Sequence, residues 1–287
     1  MLKLNRIMDE EWDYLIILDA CRYDYFESLR EKYFDGELEK RISLGSNTFE
    51  WCVETFKGYY PDVIYVSGNP YINSKVEIRG FNASRHFYKV FDVWDFGWDY
   101  ELGTVPPENI NKTTLNLIRK YPQKRFIIHY LQPHAPYISK SFKAIGFPNP
   151  DPQSMRFLAG IKGYHKSRFE EKINRLSKLL VKVGIIKDDW ILREWLGLPP
   201  ASPMDAVRRK YGLEGLRKAY RENLETVLEH AARLCSELLH FKSPVQVVIT
   251  SDHGELLGEG GRYGHKYRDR YTLEVPWFKV KKVKELD

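Results

Sequence analysis

Cysteine is scarce in this chain of 287 residues: Cys21, Cys52 and Cys235 stand far apart and odd in number. No C-x-x-C pair occurs, so neither a disulfide framework nor a zinc knuckle is indicated, and a reducing compartment fits. Long apolar runs are missing as well. The stretch MLKLNRIMDEEWDYLIILDACRYD holds only a four-residue apolar run before Asp19. That is too short for a signal peptide or a membrane span. The expected location is therefore cytoplasmic, with peripheral contact to a membrane left open. Charge of one sign is nowhere concentrated. There is no block of five or more like charges, and 45 Lys and Arg against 39 Asp and Glu leave a net +6. Nothing in that balance points to a nucleic-acid partner. Internal repeats and low-complexity segments are absent too.

What is present is the composition of a globular protein with a real core: 43% hydrophobic and 29% charged residues, with 19 Tyr and 7 Trp. The length suits one large α/β domain or two small ones. YLIILDA (14–20), DVIYVSGNPYI (62–72), RFIIHYLQPHAPYI (125–138) and PVQVVITSDHG read as buried strands. Between them, RYDYFESLREKY reads as a helix, and VPPENINKTTLNLIRKYP places Ile110, Leu117 and Ile118 on an apolar side. GLRKAYRENLETVLEHAARLCSELLHF is a strong helix, with Leu216, Tyr220, Leu224, Val227, Ala231, Leu234 and Leu238 spaced by three and four. This alternation predicts an α/β fold with a mostly parallel central sheet and helices on both faces. Residues 141–212 break the rhythm and read as a helical insertion or lid within a single domain spanning 1–287. Inside it, Phe169, Ile173, Leu176, Leu180 and Val183 share a helical face. Seven Lys or Arg lie between Lys166 and Lys187, against Glu170 and Glu171. Such a segment lies on an anionic membrane, packs on its own domain with a solvated basic face, or covers an anionic substrate.

The ends of three predicted strands carry polar chemistry. Asp19 ends the first, His134 lies in the Pro-punctuated loop that the strand within 125–138 leads into, and Asp252 and His253 follow the last. In open α/β sheets ligands bind at that edge. Carboxylate and imidazole are ligands for divalent metals, and a metal makes a bound hydroxyl a usable nucleophile. Asp19, Asp252 and His253 can thus hold one ion, with Thr48 or Ser46 of SLGSNTFEW (43–51) bound through its oxygen. Plainer roles exist for several residues. Asp19 can cap a helix, Asp252 can shape a turn, Asn69 in SGNPY can shape another, and His129 can be a satisfied core histidine. Arg22 and Asp24 read as a pair that fixes the first loop. Glu255 either orients His253 or is solvated. Five glycines lie between Gly254 and Gly264. They should let that loop fold back, so that His265 faces the cavity of His253.

LIILDACRYDYF, SNTFEW, LQPHAPYI, SDHGELLGEGGRYGH and Val275-Pro276 occur in an order that resembles the sulfatase-like branch of the alkaline phosphatase superfamily. The resemblance runs from residue 12 to 278, apart from the insertion. It implies that Asp19, Asp252 and His253 are metal ligands and that Thr48 is a metal-bound nucleophile. It also implies that His134 and His265 contact the transferred group or the leaving oxygen, and that Lys266 is a substrate-binding lysine. The C-x-P-S-R or S-x-P-S-R pattern of formylglycine sulfatases is absent, and Cys52 lacks the Pro and Arg. No D-x-x-x-H lies between Thr48 and Asp252, so the expected cofactor is one divalent ion: manganese, zinc, magnesium or calcium. His134 and His265 are left to form part of a second site. The expectation is a metal-dependent hydrolase or transferase acting on a small-molecule or glycan-linked phosphate or sulfate ester. The rival readings are a non-catalytic anion- or glycan-binding protein on the same fold, and a peripheral membrane partner in glycan or envelope assembly.

Overall fold

Leu15 to Leu18 present no polar face, so a strand built from them must be buried on both sides. In the computed structural model they form the centre of β2 (Tyr14–Asp19), and every residue of that strand is buried. The structure describes residues 2–142, 168–186, 188, 190–241 and 244–285. Residues 143–167 of the expected insertion lie outside the described residues.

The other strands are β1 (Lys3–Leu4), β3 (Phe34–Ile42), β4 (Tyr60–Ser67), β5 (Phe87–Asp92), β6 (Arg125–Pro133), β7 (Val247–Thr250), β8 (Leu256–Leu257), β9 (Tyr263–Gly264) and β10 (Glu274–Val283). Eight of them form one sheet in the order β1-β3-β10-β7-β2-β6-β4-β5, while β8 and β9 form a separate hairpin. Only β10 runs antiparallel to its neighbours; β2 is parallel to both β6 and β7. This is the expected mostly parallel sheet.

Helices cover both faces. Tyr14, Ile16 and Leu18 face α1 (Tyr23–Leu29), α3 (Pro107–Lys120) and α6 (Pro203–Phe241), which contribute Phe26, Ile110, Leu117, Leu224, Val227 and Leu238. Leu15 and Ile17 face the other way, toward α2 (Thr48–Thr55) with Trp51 and Cys52, and toward Trp12 and Trp277. Each fully buried aliphatic side chain contributes about 1.5–3 kcal/mol, and this double burial is what holds β2 in register at the centre. A third, smaller core joins Ala135 and Tyr137 after β6, Val207, Leu216 and Tyr220 of α6, and Leu257 and Tyr263 of the hairpin. That core sits where the strand ends open.

Two further helices lie within residues 141–212, the expected insertion: α4 (Arg168–Lys182) and α5 (Ile191–Trp195). The helix that follows is broken at Gly212, whose φ of 73° is not helical. Among the described residues no helix is long and apolar enough to cross a membrane.

Candidate active site

Parallel strands bring their C-terminal ends to one edge of a sheet, and here the adjacent strands β7, β2, β6 and β4 each deliver a polar residue there. Backbone amides weld the first two ends together. Ala20, with a positive φ of 59°, turns its N–H onto Asp252 Oδ1 at 3.1 Å, and the Cys21 N–H donates to Ser251 Oγ at 2.8 Å. The His134 N–H donates to the Asp19 carbonyl at 3.1 Å, so the β6 loop is tied to the same point.

Thr48 is the first residue of α2. Asn47 caps that helix by accepting from the Glu50 N–H at 3.0 Å. The helix N-terminus carries partial positive charge, and it aims the Thr48 hydroxyl inward. Thr48 Oγ1 donates to Asp252 Oδ2 at 2.8 Å and lies 3.3 Å from His253 Nε2. Ser46 takes the other direction: its hydroxyl and its N–H both donate to Glu50 Oε2, at 3.1 and 2.8 Å. Of the two hydroxyls weighed from the sequence, the structure brings Thr48 to Asp252 and His253. Cys52 is buried, and burial pushes its thiol well above the ordinary range, so it is no thiolate.

The tautomer of His253 follows from its surroundings. Its Nδ1 sits 2.8 Å from the Gly254 carbonyl and must donate there. The other ring nitrogen is Nε2. It faces Asp252 Oδ2 at 3.4 Å and Asp19 Oδ1 at 3.8 Å. Asp19 Oδ1 is buried and has no hydrogen-bond partner among the described residues. Burial disfavours the Asp19 carboxylate, but the nearby imidazoles of His129, His134 and His253 outweigh it and hold the carboxyl well below the ordinary range. An orphaned carboxylate oxygen, a second carboxylate, an imidazole nitrogen and a hydroxyl thus converge on one spot. That is the donor set of a divalent cation site.

Two residues given plainer roles by the sequence also reach this spot. Asn69 does shape its turn, accepting from the Tyr71 N–H at 2.8 Å through Oδ1. Its Nδ2 also donates to Asp19 Oδ2 and lies 3.4 Å from Thr48 Oγ1. His129 is fully buried on β6, as a core histidine would be, but only Nδ1 is satisfied, by the Tyr65 hydroxyl at 2.8 Å. Its Nε2 is unpartnered among the described residues and points at Asp19 Oδ2, 3.5 Å away. The signal for it was there to read. A histidine inside an otherwise apolar, doubly buried strand is costly unless something meets both nitrogens.

Above this inner cluster lies an outer one. The β8–β9 hairpin folds back, and the His265 ring comes within 4.6 Å of the His253 ring and 5.4 Å of the His134 ring, centroid to centroid. Gly254 is obligatory at the start of that path, because a Cβ there would sit 2.1 Å from the Tyr271 carbonyl oxygen. His265 Nδ1 is 2.9 Å from Glu255 Oε1. So Glu255 orients His265 rather than His253 or solvent. Burial works against a charged His265, yet Glu255, and more distantly Asp19 and Asp252, outweigh it and raise its pKa. Burial likewise opposes the Glu255 carboxylate, but His265, His134 and His253 hold its pKa low. Ligand atoms of His134, Glu255 and His265 lie within 4.8 Å of one another. The His134 loop is held from behind by α6, where Asn223 Nδ2 donates to the Pro133 and His134 carbonyls at 3.0 and 3.2 Å. Lys266 follows His265 and is exposed. Arg22 pairs with Asp24 at 2.6 Å as expected, but also with Glu259 at 2.7 Å, pinning the first loop to the hairpin.

No protein-family model matches the chain, and no curated protein matches it in sequence. Its fold does have solved counterparts. The phosphonate monoester hydrolase of Agrobacterium radiobacter matches with a TM-score of 0.51 at 11% identity, over 94% of this chain and 68% of that one. The C-terminal periplasmic domain of EcEptC from Escherichia coli matches with a TM-score of 0.50 at 11% identity, over 93% and 71%. The corresponding domain of the phosphoethanolamine transferase EptC from Campylobacter jejuni has 15% identity over 97% and 82%, with a TM-score of 0.47. The chain has the alkaline phosphatase/sulfatase-like fold. At these identities the likeness concerns fold, and the chemistry must be argued from the residues.

Proposed function

We propose that this protein is a metal-dependent hydrolase or transferase of phosphate esters that uses Thr48 as its nucleophile. The observation that carries the reading is the position of Thr48 Oγ1, 2.8 Å from Asp252 Oδ2 and 3.3 Å from His253 Nε2, at a helix N-terminus. Asp19, Thr48, Asp252 and His253 would hold one divalent ion. When bound, that ion supplies positive charge that eases deprotonation of the hydroxyl and offsets charge on the phosphoryl oxygens. The orphaned Asp19 oxygen supports its presence.

The chain's own groups supply the rest. The Thr48 proton leaves along its bond to Asp252 as Oγ1 forms a bond to phosphorus. The bond from phosphorus to the leaving oxygen breaks on the opposite side. His265, kept protonated by Glu255, donates to that oxygen. His134 and Asn69 bind the remaining phosphoryl oxygens, and His129 stabilises the inner carboxylate. Neutral His265 then takes a proton from water or a second alcohol as its oxygen bonds to phosphorus; the bond from phosphorus to Thr48 Oγ1 breaks, and the proton held on Asp252 returns to Oγ1, which restores the enzyme. A serine- or cysteine-derived formylglycine has no place in this site, which supports phosphate over sulfate. Lys266, exposed and next to His265 in the sequence, would meet an anionic substrate.

The expected cytoplasmic location gains no support from the fold, since the Escherichia coli counterpart is a periplasmic domain. We retain it as a proposal on the three free, buried cysteines, to be checked by cell fractionation.

The deciding experiment is turnover of chromogenic phosphate diesters and phosphonate monoesters with added manganese, zinc, magnesium or calcium, paired with mass spectrometry of quenched enzyme. An adduct on the peptide carrying Thr48, and a fall in kcat of about 10³-fold or more in Thr48→Ala, are expected. Metal and phosphate-ester binding without turnover in any combination would point instead to a non-catalytic anion-binding protein.

A further inference from the structure

The α4 helix distributes its apolar residues in a way that the sequence alone did not anticipate. Ile173 and Ser177 are buried and Leu180 is half-buried, so one face packs inward. Leu176 and Leu179, with Val183 in the turn directly after the helix, are spaced by three and four and form a neighbouring stripe that is 47, 55 and 57% exposed. Ile185, just past the helix, is 69% exposed, and Trp195 at the end of α5 is 67% exposed. A helix rarely gives three large aliphatics on one stripe to water without a partner.

The charge around the stripe names the partner. The fifteen residues of α4 carry Arg168, Lys172, Arg175, Lys178 and Lys182 against Glu170 and Glu171. Lys172 and Arg175, the basic positions beside the stripe, are exposed. Apolar residues flanked by basic ones match the two layers of an anionic bilayer surface, acyl chains below and phosphate headgroups above. A protein partner would need acidic and apolar residues in matching register. A bilayer needs neither.

The same segment is fastened to the active site. Trp190, just before α5, stacks on Tyr263 at 4.7 Å and 16°. The Arg208 guanidinium lies 5.9 and 5.7 Å from those two rings. Tyr263 stands two residues before His265. A surface held by α4 and α5 is therefore held against the hairpin that forms the mouth of the site.

We propose that the exposed stripe of α4 docks this protein onto an anionic lipid bilayer and thereby presents the His134–His265 mouth to esters carried in that bilayer. The docking step stands independently of the catalytic reading; the delivery of a lipid-borne ester rests on it.

The test uses the full chain and vesicles of phosphatidylglycerol mixed with phosphatidylcholine, against vesicles of phosphatidylcholine alone. Co-sedimentation should favour the anionic vesicles and weaken with salt. Replacing Leu176, Leu179 and Val183 together by Ser, and separately making Lys172→Glu with Arg175→Glu, should each lower partitioning by about tenfold or more. Turnover of a water-soluble ester without vesicles should stay unchanged in both variants, which shows that they are folded. Equal partitioning of wild type and both variants overturns the proposal. So does wild-type protein that ignores vesicles and instead forms a dimer that the Ser variant abolishes, since the occupant is then a second copy. Vesicle binding without any ester turnover would leave docking standing and remove the catalytic reading.

Discussion

A threonine hydroxyl ionises far above neutral pH, and an imidazole loses its proton near it, so Thr48 and His265 need opposite help from their neighbours. Thr48 gets it from Asp252, His253 and the helix N-terminus; His265 gets it from Glu255. The second dependence has a direction that can be measured. In the proposed reaction His265 acts as an acid below its pKa, and Glu255 raises that pKa. Glu255→Gln removes the main cause, so the folded pKa falls and the protonated form is lost at lower pH. The alkaline limb of kcat should therefore move to lower pH, while His265→Ala should lower kcat by about 10²–10⁴-fold and flatten that limb. A limb that stays in place in Glu255→Gln would assign the titration to another group.

Among elements, the connection from β7 to β8 carries the tightest demand. Three residues, Asp252 to Gly254, must turn the chain past Tyr271 and still leave His253 facing inward. Gly254→Ala places a Cβ 2.1 Å from the Tyr271 carbonyl oxygen, a backbone atom that has little room to yield. A loss of about 1–3 kcal/mol is expected from such overpacking, read as a lowered thermal midpoint. Activity should fall further than stability does, because the same shift moves His253 and Glu255 apart. The helix α6 makes a smaller, parallel contribution through Asn223, which satisfies two carbonyls of the His134 loop. A loop with two prolines around a histidine has few internal hydrogen bonds of its own.

For the whole molecule, the site joins the ends of β7, β2, β6 and β4 with the start of α2, and an ion held by Asp19, Thr48, Asp252 and His253 would tie three separate stretches of chain. Ligands that bind only the folded state stabilise it by mass action, about 2.7 kcal/mol at a free concentration one hundred times Kd. Exhaustive dialysis against a chelator should lower the thermal midpoint by several degrees and abolish turnover, and one equivalent of the correct divalent ion should restore both. Full stability and turnover after metal removal, verified by elemental analysis, would contradict the site.

The sequence by itself determined the centre of this fold, because a strand such as YLIIL has no face that water can accept. It also determined where polar chemistry collects, since a carboxylate or histidine that ends such a strand must sit at the sheet edge. It did not announce β3, whose FDGELEKRI alternates charged and half-buried positions, nor β10, whose antiparallel pairing with β3 depends on residues more than two hundred positions away. Only tertiary structure chose between Ser46 and Thr48. The two hydroxyls flank a single capping residue, and the choice rests on which one the start of α2 turns toward Asp252. The same holds for Asn69 and His129. Each has a local role, in a turn and in a strand, and each reaches Asp19 only because β4, β6 and β2 lie side by side.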